Sequence, residues 1–215
     1  MNNIELVFPE IFISLSIMFL LILGVFKKNS SKIIHNFSLL ILLITAVITF
    51  NETLSVDPTN LFNESIIIDY LSSFMKIITL LAAFVVLLIS SNYLRAFKIF
   101  KIEYPILILS SVLGMMIMIS SNDLIVFYMG LELQSLALYV LATFNRDQLK
   151  SSEAGLKYFV LSALSSGLLL YGCSLIYGFT GSTNFNFIST QFNTNEYAIT
   201  FGIVFILVGL AFKIS

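Results

Sequence analysis

Long uncharged apolar runs recur along this chain and restrict what it can fold into. About seven of them reach roughly 17 residues or more, the length at which a helix crosses about 30 Å of hydrocarbon. Of the 215 residues, 58% are hydrophobic and only 11% are charged, whereas soluble domains carry about 25% charged residues. A transmembrane β-barrel is excluded because its segments alternate over about ten residues. The runs therefore predict an all-α membrane protein, a polytopic helical bundle forming one transmembrane domain.

Basic residues divide the loops between the runs into two classes. The predicted spans are 10–26, 33–50, 69–94, 104–121, 124–144, 152–177 and 197–215. The first, third and fifth loops carry all the loop lysines and arginines, namely Lys27, Lys28, Lys32, Arg95, Lys98, Lys101, Arg146 and Lys150. The positive-inside rule places these loops on the cytoplasmic or matrix side and the N-terminus outside. His35 is interpreted as a solvated residue of the first loop.

The N-terminal segment, the net charge and the single cysteine each bear on the class of protein. The N-terminal segment has no positively charged region typical of a signal peptide, so we expect the first span to direct its own insertion. A net charge of -1 offers no basic surface for nucleic acid. Cys173 lies inside an apolar run and is interpreted as a small buried residue.

A glutamate lies deep inside the fifth predicted span. Glu132 is eight residues into it, about 12 Å from its start. Ionised groups at such depth cost roughly 2.5–3.5 kcal/mol on insertion scales, so they usually face protein or water and mark ion or proton paths. Helical spacing places three hydroxyl residues on its face, Tyr128, Ser135 and Tyr139. This stripe fits a hydrated proton path, and it equally fits a protonated glutamate in a static hydrogen-bond network.

Two lysines follow in the sixth and seventh spans. Lys157 snorkels to the inside surface, pairs with Glu153 one turn earlier, or is covered by a neighbouring helix. The small residues of its own span, which include the pairs Ser162 with Ser166 and Ala163 with Gly167, would let such a helix approach closely. Lys213 shares a helical face with Gly202 and Gly209. That flat face predicts close packing against another helix.

A third lysine lies in the third span. Lys76 follows Asp69 by seven residues, about 10 Å along a helix axis, which is too far for a direct pair. The spacing leaves two interpretations open, a lysine that snorkels to the membrane surface or a supporting partner of a proton path.

Several stretches resemble a known family of membrane proteins. They are FPEIFI at 8–13, DYLSSFMK at 69–76, ISSNDLIVFYMGLELQSLALYVL at 119–141, SSEAGLKYFVLSALSSGLLLYGCSLIYGFTGSTNF at 151–185 and GLAFKIS at 209–215. The chain resembles the antiporter-like membrane subunits of respiratory complex I, within them the subunit 2 family of NADH:ubiquinone oxidoreductase. The resemblance implies the first half of an antiporter-like fold in a proton-translocating membrane arm.

The resemblance also implies roles for three charged residues. In the family a glutamate on the fifth helix and a lysine on the sixth form a charged pair, and a lysine on a broken seventh helix begins the central proton path. These roles would fall on Glu132, Lys157 and Lys213. The chain would bind no cofactor itself, because NADH, FMN, iron–sulfur clusters and ubiquinone belong to other subunits.

Family members continue past this last lysine through a proline-containing break and about seven further spans. We therefore expect other complex I membrane-arm subunits as partners, together with membrane lipid and a second polypeptide, from a split gene, that carries the remaining spans. A truncated record or a relic fragment is the alternative. Heavy use of Phe, Ile, Asn, Tyr and Ser favours an organelle genome, which predicts the mitochondrial inner membrane with the N-terminus toward the intermembrane space.

Three other functions remain open from the sequence. A non-pumping structural or assembly subunit of the same arm would keep the charged residues for packing. A stand-alone cation/proton antiporter would transport ions without the rest of the complex. A secretory-pathway carrier would use the glycosylation sequons that begin at Asn51 and Asn63.

Overall fold

The computed structural model describes residues 5–26, 31–53, 59–97, 99–191 and 196–214. Within these ranges a short 3-10 helix, Glu5–Val7, precedes eight α-helices and one β-hairpin. The helices are α1 Phe8–Phe26, α2 Ser31–Thr53, α3 Tyr70–Ala96, α4 Glu103–Ile119, α5 Leu124–Ala142, α6 Leu149–Thr180, α7 Phe185–Gln191 and α8 Glu196–Ile214. Four residues used in the predictions, Lys27, Lys28, Lys98 and Ser215, lie outside the described residues.

Each predicted span coincides with one long helix whose ends differ from it by a few residues. Of the described helices, six are long and apolar enough to cross a membrane, and the 17-residue α4 is shorter. The longest is α6, with 32 residues, or about 48 Å at 1.5 Å per residue. It ends at Gly181, whose φ of 74° lies in the left-handed region that glycine adopts without strain. The observed architecture is the predicted all-α polytopic bundle.

The helices form two groups that meet at α4. Helices α1, α2, α3 and α4 surround one apolar core that includes Ile13, Leu42, Leu80 and Leu109. Helices α5, α6 and α8 surround a second core around Leu131, Leu169 and Cys173. Because α4 also packs along α5, the two groups are held as neighbours.

Glycines allow two pairs of helices to approach at backbone distance. Where α4 crosses α5, a Cβ atom added to Gly114 would lie 2.6 Å from the backbone nitrogen of Gln134. Where α6 crosses α8, a Cβ added to Gly172 would lie 2.8 Å from the carbonyl oxygen of Gly202. Another added to Gly209 would lie 2.9 Å from the carbonyl oxygen of Ser165. The Gly202 and Gly209 face of the last span is therefore packed against a helix, as predicted, and that helix is α6.

The loops at one end of the bundle form a small structured layer. Strands β1 (Thr59–Leu61) and β2 (Ile66–Ile68) pair antiparallel, with Thr59 opposite Ile68. We call this end the hairpin face and the opposite end, where the described basic loop residues lie, the basic face. The sequence predicted only a loop here, because strands of three residues are too short to show an alternating pattern.

Two asparagine side chains fasten the hairpin to later parts of the chain. The carbonyl oxygen of Glu64 accepts a hydrogen bond of 2.8 Å from the amide of Asn122 and one of 3.0 Å from the amide of Asn184. The backbone of Asn122 adds bonds to Ser65 and Phe185. These contacts, which we call the loop clasp, join the starts of α5 and α7 to the β-hairpin.

His35 is buried, which corrects its assignment to a solvated loop. It is only 4% exposed and its ring lies 5.6 Å from that of Phe100 between centroids. The guanidinium of Arg95 lies over the same Phe100 ring, 5.0 Å from its centroid. The physical reason is that α2 begins at Ser31, so His35 falls in the second helical turn and faces the neighbouring helices.

The glycine crossing of α6 and α8 can be tested with two glycines of the same helix. Replacing Gly172 with alanine should destabilise the fold by about 1–3 kcal/mol, because the added methyl collides with the backbone of α8. Gly178→Ala is the matched control, because a Cβ there meets nothing within 4 Å and alanine improves helix propensity by up to about 1 kcal/mol. Reversible unfolding in detergent would measure both. Equal stability of the two variants would contradict the backbone-distance crossing.

Candidate functional site

A buried charged contact joins α5 to α8. The Nζ atom of Lys213 lies 2.5 Å from the Oε1 atom of Glu132. The lysine side chain is 9% exposed and that of the glutamate 20% exposed, so the pair has little contact with solvent. Glu132 is in the middle of α5, whereas Lys213 is one residue from the end of α8, and the glycine crossing of α6 and α8 brings them together.

The sixth helix contributes a hydroxyl to the same carboxylate. The side chain of Ser166 donates a hydrogen bond to Oε1 of Glu132, so this oxygen has two donors from two helices. One turn earlier on α6, the hydroxyl of Ser162 is hydrogen-bonded to the hydroxyl of Tyr139 on α5. Buried hydroxyls thus continue from the ion pair along the contact between α5 and α6. The sequence predicted that Ser162 and Ser166 lie at a helix contact, but not that they bond to Glu132 and Tyr139.

The predicted polar stripe on α5 is divided between two surroundings. Tyr139 is 6% exposed and packs edge-on against the rings of Tyr158 and Phe159. Ser135 donates its hydroxyl to the backbone oxygen of Glu132 at 3.0 Å. Tyr128 packs beside the second apolar core. Only Tyr139 therefore extends the line of buried hydroxyls that leads from Glu132.

A cavity lies beside this line. Its volume is about 410 Å³, and its polar lining comprises Gln134, Ser135, Tyr158, Ser162 and Lys213. At roughly 30 Å³ per water molecule, it has room for a chain of several waters. Such a chain would connect Lys213 with the hydroxyls of Ser162 and Tyr158, which is the arrangement that proton transfer between fixed groups requires.

Lys157 is in a different place from the one the family resemblance implied. Its ammonium lies 2.6 Å from the Oε1 atom of Glu153, and the two side chains are 67% and 62% exposed. The expected Glu132–Lys157 pair is therefore wrong, because Lys157 faces outward near the start of α6 while Lys213 occupies the position next to the carboxylate. The helical spacing of four residues had left the Glu153 pair open as one alternative.

Of the two predicted pairs of small residues on α6, the pair Ala163 with Gly167 is exposed. A Cβ atom added to Gly167 meets nothing within 4 Å. The packed face of α6 is instead that of Ser165, Gly172 and Ile176, which contact α8.

Lys76 belongs to another buried pair, which the sequence analysis missed. Its Nζ atom lies 2.6 Å from the Oε1 atom of Glu10 in α1. A sequence signal was present, since Glu10 follows Pro9 inside an apolar segment. Asp69 has a different role, because it caps the start of α3. Its side chain accepts a hydrogen bond of 2.7 Å from the backbone N–H of Ser72, and the side chain of Ser72 accepts one from the backbone N–H of Asp69.

Within the described ranges, no three His, Cys, Asp or Glu side chains lie close enough to hold a metal ion together. The candidate site consists of two ionisable groups, Glu132 and Lys213, and the hydroxyls of Ser166, Ser162 and Tyr139.

Comparisons with known proteins found one matching family model and several similar proteins. A family model described as NADH:quinone oxidoreductase/Mrp antiporter, TM matches residues 121–215. Over all 215 residues the chain is 70% identical to NADH-quinone oxidoreductase subunit N of Pelagibacter ubique (strain HTCC1062), and it covers 45% of that protein. It is 48% identical to the subunit N of Maricaulis maris (strain MCS10), again covering 45% of the relative. The chain thus spans about half the length of the curated relatives it matches.

A solved structure shares the fold. A chain of respiratory complex I from Thermus thermophilus, determined with bound aureothin, is 25% identical and superposes with a TM-score of 0.78. The match covers 95% of this chain and 43% of that one. The curated relatives are bacterial, which does not support the predicted mitochondrial origin.

The Glu132–Lys213 pair can be tested by a double-mutant cycle on stability. Glu132→Gln should destabilise the protein by about 3–5 kcal/mol, because it leaves the ammonium of Lys213 buried without its counter-charge. The double variant with Lys213→Met should recover much of that loss. Unfolding in detergent would supply the four free energies of the cycle.

Lys157→Met is the control for this cycle. It breaks a pair of almost the same length on the exposed surface, where ion pairs contribute about 0.5 kcal/mol or less. Additive effects of the Glu132 and Lys213 substitutions would contradict a coupled buried pair.

Proposed function

We propose that this chain is a proton-translocating membrane-arm subunit of NADH:quinone oxidoreductase, because it is similar along its whole length to part of NADH-quinone oxidoreductase subunit N of bacteria. The observation that carries the proposal is the buried Glu132–Lys213 pair beside a cavity lined by hydroxyls. Intramembrane ion pairs of this kind are typical of ion and proton paths. The redox steps, with NADH, FMN, iron–sulfur clusters and ubiquinone, are proposed to take place in other subunits.

The pair can work as a switch between two protonation states. While Lys213 lies 2.5 Å from Glu132, its positive charge stabilises the ionised carboxylate. When Lys213 moves away, the carboxylate loses that charge and takes up a proton from the water of the cavity. When Lys213 returns, the carboxyl group releases the proton. Movement of the last turn of α8 would therefore be coupled to proton uptake and release.

The line of hydroxyls runs from Glu132 toward the basic face. Ser166 contacts Glu132, and Ser162 and Tyr158 follow at one-turn intervals along α6 toward its start, near the basic face. We propose that water in the cavity connects Glu132 with the basic face along this line. Ser135 would support the path both by lining the cavity and by donating to the backbone of Glu132, whereas Tyr128 would only pack beside the second apolar core.

Lys157 is not positioned for direct proton transfer along this path. It is exposed and paired with Glu153, so it would join the path only after leaving that partner. We propose for it an accessory role at the basic face and no direct transfer.

The position of the basic loops supports an orientation. Arg95, Lys101, Arg146 and Lys150 lie in described loops or helix ends of the basic face. We propose that this face is cytoplasmic, that the hairpin face is on the opposite side, and that the membrane is the bacterial cytoplasmic membrane of the relatives.

The names of the relatives support the proposal that other membrane-arm subunits are partners of this chain. The relatives carry a further segment, because this chain spans about half of their length. We propose that it is a second polypeptide that meets this chain at α8. Mass spectrometry of the native complex after mild detergent extraction would detect that polypeptide, and migration of the chain with unrelated proteins would contradict the assignment.

Pumping assays separate translocation from a structural role. In proteoliposomes that contain the assembled complex, Glu132→Gln and Lys213→Met should each reduce protons pumped per electron pair at least twofold, because each removes one state of the switch. Lys157→Met should change this ratio by less than a quarter. Reduced assembly with unchanged pumping per assembled complex would instead favour the structural subunit.

Two further measurements test the remaining alternatives. Ion transport by vesicles that lack the other subunits would favour a stand-alone antiporter. Glycan on Asn63, in the turn between the two β-strands, would favour a secretory-pathway carrier.

A further inference from the structure

A second pair of buried charges lies in the group of helices that does not contain Glu132. Glu10 is the third residue of α1 and Lys76 the seventh of α3, so both are near the hairpin face. Their charged atoms are 2.6 Å apart, and their side chains are 9% and 4% exposed. The proposed proton path through α5, α6 and α8 makes no use of them.

One oxygen of this glutamate has no partner among the described residues. Oε1 faces Lys76, whereas Oε2 is buried and makes no hydrogen bond. Buried polar atoms are nearly always hydrogen-bonded, since an unsatisfied one loses its hydration without compensation. An ionised carboxylate can only accept hydrogen bonds, so the free oxygen is a position for a proton or for a water molecule that delivers one.

A second carboxyl group lies beside the pair. Glu52, near the end of α2, interacts electrostatically with both Glu10 and Lys76. Two carboxyl groups and one ammonium thus meet where three helices approach the hairpin face. The fourth helix of the group, α4, has its ionisable residues Glu103 and Tyr104 at the opposite end.

Apolar residues close this group of charges toward the basic face. Ile13 follows Glu10 by about one turn of α1, and Leu80 follows Lys76 by about one turn of α3. Both are at most 1% exposed, as is Leu42 of α2. The buried hydroxyls of Thr49 and Thr45 donate to their own helix and end at this apolar layer. Among the described residues the group is therefore closed toward the basic face and lies nearest to the hairpin face.

We propose that Glu10, Lys76 and Glu52 form a proton-binding site, separate from Glu132 and Lys213, that exchanges its proton with the hairpin face. The proton comes from water at that face and binds a carboxylate oxygen. Lys76 keeps its own three protons and donates to the carboxyl group in both states. No bond other than the O–H bond is made or broken. The inference stands on this chain alone and does not depend on the proposed function.

Carbodiimide labelling tests the site in the protein as it occurs in native membranes. Dicyclohexylcarbodiimide reaches carboxyl groups from the lipid phase and modifies those that are protonated. After treatment over a range of pH, peptide mass spectrometry would give the modified fraction of each glutamate. We expect modification of Glu10, Glu52 or both to rise as the pH falls.

The Lys76→Met variant tests whether the ammonium group of Lys76 controls the pH midpoint of carboxyl modification. Removing the ammonium takes away the charge that favours the ionised carboxylate, so the midpoint should move to higher pH by about 1–3 units. Lys76→Arg keeps the charge and should shift it by less. Lys157→Met is the matched control, since it removes a lysine 2.6 Å from a glutamate at an exposed position, and the Glu153 midpoint should move by less than half a unit.

Two results would overturn the proposal. One is a wild-type protein in which neither Glu10 nor Glu52 is modified at any pH while Glu153 is. The other is a Lys76→Met midpoint equal to that of the wild type. The wild-type profile needs no variant, so the first result is informative even if Lys76→Met fails to insert. Glu132→Gln should leave the Glu10 and Glu52 profiles unchanged, which separates this site from the proposed path.

Discussion

A charge inside a bilayer has to find its counter-charge within the protein, because hydrocarbon offers no hydrogen-bonding solvent. This chain meets that constraint twice, with Glu132 and Lys213 in one group of helices and Glu10 and Lys76 in the other. Each pair joins residues far apart in the sequence and draws together helices that short loops do not connect. Close helix packing and ion pairing therefore depend on each other. Glycines let α8 approach α6, and that approach places Lys213 beside a carboxylate of α5.

The division into two groups separates two kinds of chemistry. Around Glu132 there are hydroxyls and a cavity, so the charged pair is in contact with space for water. Around Glu10 and Lys76, apolar side chains such as Ile13 and Leu80 close one side completely. The shared helix α4 carries only small or apolar residues in its central part, including Gly114, and so acts as a spacer. The two ionisable sites thus lie on either side of a helix whose central part carries no ionisable residue.

The fold could be predicted from the sequence because the length of an apolar run and the distribution of basic loops are local properties. The Gly202 and Gly209 face also identified a packed surface. Pairing of charges could not be predicted, because it depends on which helices become neighbours. Lys157 has a carboxylate one turn away and pairs with it, whereas Lys213 reaches Glu132 across 81 residues. Glu10 was overlooked because it lies at the boundary of a predicted span. His35 lies just inside the predicted span 33–50 and was misplaced because it was interpreted as part of the adjoining loop on account of its polar side chain.

The loop clasp has a consequence for biogenesis. The carbonyl oxygen of Glu64 is bonded by Asn122 and by Asn184, and the second of these follows it by 120 residues. During synthesis the hairpin, α3 and α4 emerge well before α6, so the clasp stays open until the whole of α6 has been inserted and residue 184 has reached the same side of the membrane. Folding of this face is therefore a late checkpoint. Only a chain whose first six long helices have the correct topology can complete it.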